Sequence, residues 1–267
     1  MNSNTDEAAA DLADALLVHA YSRSLAGRSN SEMVGPFAVL FSERNPSPFG
    51  SYAIPLDFAE PTPADIAALV AAFAARDRQP RLEFAPSAAP KVEAVLLVAG
   101  FTVELRPPMM TRRPAPPVPT LEVDGFDLIA PETDQALLDV AAIQKGAFGD
   151  PAPAGEADVA GLRLSLRRGG YVLLAHGRET GEAAGAGAYM PPQDGVTEIT
   201  GIAVAERFRR RGLAQAITGA LAEQAFRAGC SMAFLSAAGE AQSAIYARAG
   251  FIRRSPMAYM SIPDPPP

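Results

Sequence analysis

Six prolines between residues 106 and 120 place the strongest constraint on how this chain of 267 residues can fold. Proline fixes φ and has no backbone N–H, so the stretch predicts neither a helix nor an inner strand. The chain also exceeds the ~100–200 residues of one usual compact domain, which predicts two domains or one large one. We place a boundary at the prolines: a first domain at residues 1–113, a proline-rich linker at 114–120, a second domain at 121–262 and a disordered tail at 263–267.

Hydrophobic spacing and turn residues predict alternating helices and strands in the first half. The most specific signal is Thr62-Pro63-Ala64-Asp65, which offers an N-cap, a proline at the first helical position and an acid in the first turn. Further helices are predicted at 6–25, behind Thr5 as cap, and at 91–98, where Gly100 ends the helix. The predicted strands are 37–41, 52–56, 81–84 and 101–105.

The second half shows the same alternation, which together with the first half predicts a mixed α/β fold. The predicted helices are 134–146, 157–168, 212–228 and 240–248. The predicted strands are 121–129, 171–175, 183–190, 198–204, 232–236 and one or two strands after Phe251.

Two short segments recur in both halves of the sequence. Ala99-Gly100-Phe101 ends a predicted helix, as Ala249-Gly250-Phe251 does, and Met109-Met110-Thr111 is echoed by residues 257–261. Two short matches can arise by chance, but a long-period repeat is also what a duplicated fold leaves behind. We favour duplication.

Charge and composition exclude several classes of function. The 30 acidic and 23 basic residues leave a net charge of −7, which disfavours nucleic acid and anionic membranes as partners. Two distant histidines and the single Cys230 predict no metal site and no intramolecular disulfide. Cys230 as an acyl-carrying nucleophile is a weaker alternative to a buried structural thiol. The polar N-terminus and the lack of a ~20-residue apolar run predict a cytoplasmic protein. A homodimer is left open.

The most informative segment is residues 198–214, a predicted strand that runs through a basic turn into a helix. The first amides of a helix lack internal partners and the helix dipole is positive there, so such a turn can bind an anion. Four arginines (Arg207, Arg209, Arg210 and Arg211) precede this helix, where they repel one another and the dipole unless an anion neutralises them. A solvated basic turn is an equally good interpretation of the residues alone.

The pattern Arg209-x-x-Gly212-x-Ala214 resembles the coenzyme A signature of the GNAT superfamily of N-acetyltransferases. Tyr246-x-x-x-Gly250-Phe251, one helix later, resembles a second motif of that family. The resemblance implies a GNAT fold in the second half, with acetyl-CoA as cosubstrate and no metal. It also implies that the first half is a degenerate GNAT-like lobe, because residues 57–61 lack the signature and Leu96 stands where Tyr246 would be.

The resemblance also implies roles for individual residues. Backbone groups of Ile202, Ala203 and Val204 would pair with the pantetheine arm, and Gly201 would start a bulge in their strand. The pyrophosphate would bind the turn, at Arg209, Arg210, Arg211, Gly212, Leu213 and Ala214. Tyr246 would protonate the leaving thiolate, although a tyrosine in this helix can also simply pack in the core.

Glu198, eleven residues before Arg209, is the candidate general base, and an exposed strand glutamate is the alternative. Gly239 departs from the family, since many members carry asparagine seven residues before the tyrosine. The predicted function is direct transfer of an acetyl group to a primary amine of a small molecule or peptide. The rivals are a noncatalytic acyl-CoA sensor and, more weakly, an interaction scaffold.

Overall fold

The computed structural model of the protein describes residues 3–26, 31–42, 50–115 and 121–263. Most of the predicted linker and tail therefore lies outside the described residues. The chain divides into two compact units, residues 1–109 with 254–267, and residues 110–253.

Seven helices and thirteen strands are seen in the described part of the chain. The helices are α1 (Ser3–Ala26), α2 (Pro63–Ala74), α3 (Val92–Val98), α4 (Asp134–Phe148), α5 (Glu156–Arg167), α6 (Leu213–Arg227) and α7 (Glu240–Arg248). The strands are β1 (Ser31–Val34), β2 (Phe37–Leu40), β3 (Tyr52–Pro55), β4 (Arg81–Phe84), β5 (Thr102–Leu105), β6 (Met109–Arg112), β7 (Phe126–Ile129), β8 (Tyr171–Gly177), β9 (Ala183–Tyr189), β10 (Val196–Val204), β11 (Met232–Ser236), β12 (Ile252–Arg253) and β13 (Ala258–Ser261). The mixed α/β prediction is confirmed.

The first unit is a six-stranded sheet in the order β1-β2-β3-β4-β13-β5. Its best-predicted helix, α2, begins at the expected capping box: the Thr62 hydroxyl accepts from the Asp65 amide, and Asp65 accepts from the Thr62 amide at 2.8 Å. Helix α2 buries Ile66, Leu69 and Phe73 in a core shared with strand residues of the sheet. The local signal and the apolar face therefore agree, which is why this helix was predictable.

The second unit is a seven-stranded sheet in the order β12-β6-β11-β10-β9-β8-β7, with helices on both faces. Leu173 packs in one core cluster with α6 residues, whereas Val172 and Leu174 pack in another with Val140 of α4. Successive side chains of a strand point to opposite faces, so α4 and α6 cover opposite sides of the sheet. This two-sided burial explains why β8 and β9 are almost continuously buried.

Strand β6 corrects the prediction that the proline-rich stretch holds no inner strand. Residues 109–112 lie between β12 and β11, and Ile252 and Arg253 pair with Thr111 and Met110. The prolines flank this segment and leave 109–113 free of them, so every residue of β6 keeps its backbone N–H.

Strand β13 gives the first unit a discontinuous chain. It lies between β4 and β5, with Ala258 opposite Phe84 and Tyr259 opposite Leu105. The units therefore differ from the predicted domains at two places: residues 110–113 belong to the second unit and residues 254–262 to the first. The two strands involved, β6 and β13, contain the echoed Met109-Met110-Thr111 and residues of the 257–261 segment.

Two further elements differ from the prediction. Strand β1 was not predicted, yet it pairs with β2 through a two-residue turn in which Gly35 has φ +53°. The strand predicted at 121–129 is shorter, because only Phe126–Ile129 pairs with β8.

The helix ends that carry the repeated Ala-Gly-Phe have the same geometry in both units. Gly100 and Gly250 have φ of +90° and +87°. The amide of Phe101 donates to the Leu96 carbonyl, and that of Phe251 to the Tyr246 carbonyl, each at 3.0 Å. Both ends are Schellman motifs, which need glycine at the left-handed position. Leu96 and Tyr246 are therefore structurally equivalent, which supports the duplication.

Candidate functional site

A cleft of about 870 Å³ opens in the second unit along β10 and the start of α6. Residues of α4, β11 and α7 complete its walls. It is lined by Ala147, Phe148, Glu198, Ile199, Thr200, Gly201, Ile202, Ala203, Val204, Phe208, Arg209, Arg210, Gly212, Leu213, Ala214, Gln215, Leu235, Ser236, Ala238, Gln242, Ile245, Tyr246 and Arg248. All predicted site residues except Arg211 are in this set.

The cleft begins where two parallel strands separate. Strands β10 and β11 pair only from Val196 to Glu198, against Met232 to Phe234, although β10 continues to Val204. The amide of Ala205 donates to Ala184 at 2.9 Å. Because neighbouring strand residues direct their backbone groups to opposite sides, the Val204 amide faces away from β9, towards the cleft.

A bulge at Gly201 interrupts β10 within this open stretch. The register against β9 shifts between Thr200 and Ala203, and Gly201 has φ +65°. The Gln144 side-chain amide donates to the Gly201 carbonyl at 2.9 Å, and a Cβ on Gly201 would lie 2.2 Å from that nitrogen. Two features of the bulge therefore favour glycine at position 201: the positive φ and the close approach of the Gln144 side chain of α4.

The other end of the cleft is the N-terminus of α6. Gly212 precedes the helix with φ +88°, and no side chain caps it. The amides of Leu213, Ala214 and Gln215 therefore have no acceptor within the helix. Arg210, two residues earlier, lines the cleft and also has a positive φ, of +62°. The turn before α6 thus has left-handed backbone at Arg210 and at Gly212, and the uncapped helix N-terminus that follows it suits an anion.

The four arginines divide between the cleft and the surface. Arg209 lines the cleft and donates from Nε to the Val204 carbonyl at 3.3 Å. Arg211, predicted to bind the pyrophosphate, lies outside the cleft lining: its guanidinium stacks 4.6 Å from the Phe126 ring centre and donates to the Asp124 carbonyl at 3.4 Å. Arg207 pairs with Glu182 at 3.1 Å. Of the four arginines of this turn, only Arg209 and Arg210 line the cleft.

Tyr246 and Glu198 face the same cleft from different elements. Tyr246 lies on α7, partly buried against the core that contains Phe251, and this burial raises the pKa of its hydroxyl. A hydroxyl with a raised pKa stays protonated and so remains able to donate a proton. Tyr246 therefore packs against the core and also lines the cleft. Glu198 lies on β10, partly exposed, and its carbonyl accepts from the Met190 amide at 2.8 Å.

Gly239, the departure from the family pattern, forms the N-cap of α7. Its backbone is extended, with φ 172°, and its carbonyl accepts from the Ser243 amide at 2.9 Å. A glycine has no side chain to accept from the next amides, so α7 starts without a side-chain cap.

Several lining residues lie outside every sequence motif. Gln215 and Arg248 bond reciprocally: Arg248 Nε donates to Gln215 Oε1 at 3.2 Å, and Gln215 Nε2 donates to the Arg248 carbonyl at 3.4 Å. This pair ties α6 to α7. Phe148, at the end of α4, also lines the cleft, and Gln144, one turn earlier, bonds to Gly201 of β10. No short pattern marks these residues, because they come from segments far apart in the chain.

The first unit also contains a pair of parallel strands, β3 and β4, and a network of hydrogen-bonded side chains lies beside it. Ala53 of β3 pairs with Leu82 of β4. The Ala85 amide, just after β4, donates to His19 Nε2 at 2.7 Å, and His19 Nδ1 lies 3.3 Å from Asp57. Arg23 donates to both Asp57 oxygens at 2.7 Å. Burial lowers the pKa of His19 to about 4, so the ring is neutral at pH 7. A neutral buried imidazole and a carboxylate that is already paired with Arg23 thus lie at the ends of this strand pair.

Two features are absent from the described residues. No group of three or more histidine, cysteine, aspartate or glutamate side chains is placed to hold a metal ion there. Within the same residues, no helix combines the length and apolar character needed to cross a membrane.

The chain is similar to one protein family and to several solved structures. Residues 137–251 match the model of the acetyltransferase (GNAT) family. No curated protein matches the chain significantly.

Three solved structures illustrate the likeness. A GCN5-related N-acetyltransferase from Kribbella flavida is 24% identical, with 94% of this chain and 96% of that chain covered and a TM-score of 0.78. A tandem GNAT protein from the clavulanic acid biosynthesis pathway is 15% identical, with 90% and 82% covered and a TM-score of 0.61. A GCN5-related N-acetyltransferase from Sphaerobacter thermophilus is 20% identical, with 70% and 61% covered and a TM-score of 0.56.

Proposed function

Because residues 137–251 form a domain of the GNAT acetyltransferase family, we propose that this chain transfers the acetyl group of acetyl-CoA directly to a primary amine. The observation that carries the proposal is the cleft itself. One cavity joins a splayed strand pair, an uncapped helix N-terminus, a carboxylate and a half-buried tyrosine.

Each part of coenzyme A would have residues of the cleft to bind it. The free amides of Leu213 and Ala214, with Arg209 and Arg210 beside them, would hold the pyrophosphate. The Val204 amide, turned away from β9, would donate to an amide of the pantetheine arm, as an added strand does. Acetyl-CoA supplies the activated acyl group, and the strand amides near the bulge would stabilise negative charge on its carbonyl oxygen.

Glu198 and Tyr246 would then handle the protons. Glu198 takes a proton from the ammonium of the acceptor, directly or through water, so that the neutral amine can attack the acetyl carbon. The new C–N bond forms as the C–S bond breaks, and Tyr246 donates its proton to the departing thiolate. The second proton that the nitrogen loses returns to Tyr246 through water, and Glu198 releases the first to solvent. Positioning supplies much of the rate, because both substrates are held in one cleft.

The proposal is tested by measuring acetyl-CoA binding first and thiol release second. At a concentration of about 100 times its dissociation constant, acetyl-CoA should stabilise the protein by about 2.7 kcal/mol, visible as a rise in melting temperature. Thiol release with a panel of primary amines then measures transfer. A rise in melting temperature without thiol release would identify a noncatalytic acyl-CoA sensor, and no rise would contradict both functions.

Two glycines provide a test of the binding site and a matched control: Gly212 precedes α6, and Gly219 lies within it. Gly212→Val should abolish the acetyl-CoA shift, because φ is +88° and the new Cβ would lie 3.1 Å from a Leu121 methyl group. Gly219→Val places the same side chain within α6, where no heavy atom lies within 4 Å of its Cβ, and should keep the shift. Equal shifts in the two variants would place the cofactor elsewhere.

A further inference from the structure

The charges that line the cleft are unevenly distributed. Three lining residues are cationic (Arg209, Arg210 and Arg248), and Glu198 is the one carboxylate among the described lining residues. Arg209 and Arg210 lie in the turn before α6, at the end proposed for the pyrophosphate. Glu198 lies at the opposite end of β10, three residues before the bulge at Gly201.

The C-terminal end of α4 forms the wall beside this carboxylate. Gln144 donates to the Gly201 carbonyl at 2.9 Å, which places the end of α4 against the bulge. Phe148 is one turn further on, so it lies on the same side of the helix as Gln144. Phe148 and Ala147 both line the cleft. The acceptor end therefore combines one negative charge with apolar side chains.

Phe148 is exposed to an unusual degree for an aromatic residue in a folded domain. Its relative accessibility is 67%, although it ends a helix whose Leu137 and Val140 are fully buried. A large apolar side chain that lines a concave site and remains open to it is a typical ligand contact.

Two acids that follow α4, Asp150 on the loop and Asp158 in α5, do not add negative charge to this wall. Lys145 pairs with Asp150 at 2.7 Å and with Asp158 at 3.7 Å, and neither aspartate lines the cleft. A second ammonium group on the acceptor would therefore meet Phe148 and Ala147 rather than a carboxylate, and an unpaired cation is costly to desolvate.

We propose that the acceptor is a monoamine with an apolar body, whose ammonium pairs with Glu198 and whose body packs on Phe148. This inference rests on the acetyl transfer proposed above. It excludes polyamines and aminoglycosides as preferred acceptors, because their additional ammonium groups have no partner in the described lining.

The experiment compares hexylamine with 1,6-diaminohexane, which share a chain length and differ by one charge. Thiol release by the full-length protein at saturating acetyl-CoA gives kcat/KM for each amine. We expect hexylamine to be preferred at least tenfold, even though the diamine has two equivalent reactive ends. Equal values, or a preference for the diamine, spermidine or kanamycin, would overturn the inference while leaving the transferase function in place.

Two variants of Phe148 test whether this residue causes the preference for hexylamine. Phe148→Ala should lower kcat/KM for hexylamine about tenfold and leave the acetyl-CoA melting shift unchanged, and Phe148→Leu should restore most of the activity. Ile252→Ala is the matched control, since Ile252 is 58% exposed but does not line the cleft. A Phe148→Ala variant that loses the acetyl-CoA shift would assign Phe148 to the cofactor and refute the proposal. Absence of thiol release with every amine, with the melting shift retained, would instead refute the transferase function and this inference with it.

Discussion

The bulge at Gly201 offers a quantitative test of how the cleft is built. Gly201→Ala adds one methyl group at φ +65°, where its carbon would lie 2.2 Å from Gln144 Nε2. The Gln144 amide is the far end of a flexible side chain, so it can swing away. By doing so it loses the 2.9 Å hydrogen bond to the Gly201 carbonyl.

Two contributions set the expected loss of stability. A non-glycine residue in the left-handed region costs about 1 kcal/mol or more. The lost hydrogen bond costs about 1 kcal/mol. Gly201→Ala should therefore destabilise the second unit by about 2–3 kcal/mol, and Gln144→Ala by about 1 kcal/mol. The double variant should match Gly201→Ala alone, because the hydrogen bond can be lost only once.

The assay is thermal unfolding followed by circular dichroism, since the chain contains no tryptophan. For a unit of this size, 1 kcal/mol corresponds to about 2–4 °C. Gly201→Ala should lower the midpoint by about 4–12 °C and the double variant by the same amount. Additive losses in the double variant would refute the reasoning, because they would mean that Gln144 does not restrict residue 201.

Four further outcomes follow from the site and from the first unit. Tyr246→Phe keeps the ring and removes the hydroxyl, so steady-state kinetics should show kcat reduced ~10²–10⁴-fold with acetyl-CoA affinity nearly unchanged; a loss under about threefold would exclude it as the acid. Glu198→Gln should depress the rate most at low pH, where the amine is protonated, and recover partly as pH rises; an unaltered pH profile would indicate a structural carboxylate. Burial lowers the pKa of His19 from 6.5 to about 4. The free energy of unfolding should therefore have its full value above pH 6.5 and fall by about 3 kcal/mol as the pH falls from 6.5 through 4. His19→Gln should flatten that pH dependence in urea titrations. Deleting residues 254–267 removes β13 from between β4 and β5, so the first unit should lose protection against amide exchange, and retained protection of β4 would contradict the strand order.

Much of the candidate site was predictable because its signals are local. Gly212 with its arginines marks a turn into a helix, and the capping box at Thr62 marks another helix start; each depends on neighbours within four residues. The family pattern then implied which of these turns faces a cofactor. The fold class, the alternation of elements and the duplicated Ala-Gly-Phe helix ends followed from the same kind of signal.

The sequence by itself determined where most helices begin and that a basic turn leads into α6, because these depend on backbone angles and on neighbours along the chain. Only the tertiary structure decided which strands pair, that β6 and β13 each pair with strands that are distant in the sequence, and that Arg211 stacks on Phe126 instead of lining the cleft. It also brought Gln144 and Phe148 to the bulge at Gly201, more than fifty residues away. Such contacts depend on which apolar faces bury one another, and that choice is made by the packing of the whole unit rather than by any short pattern.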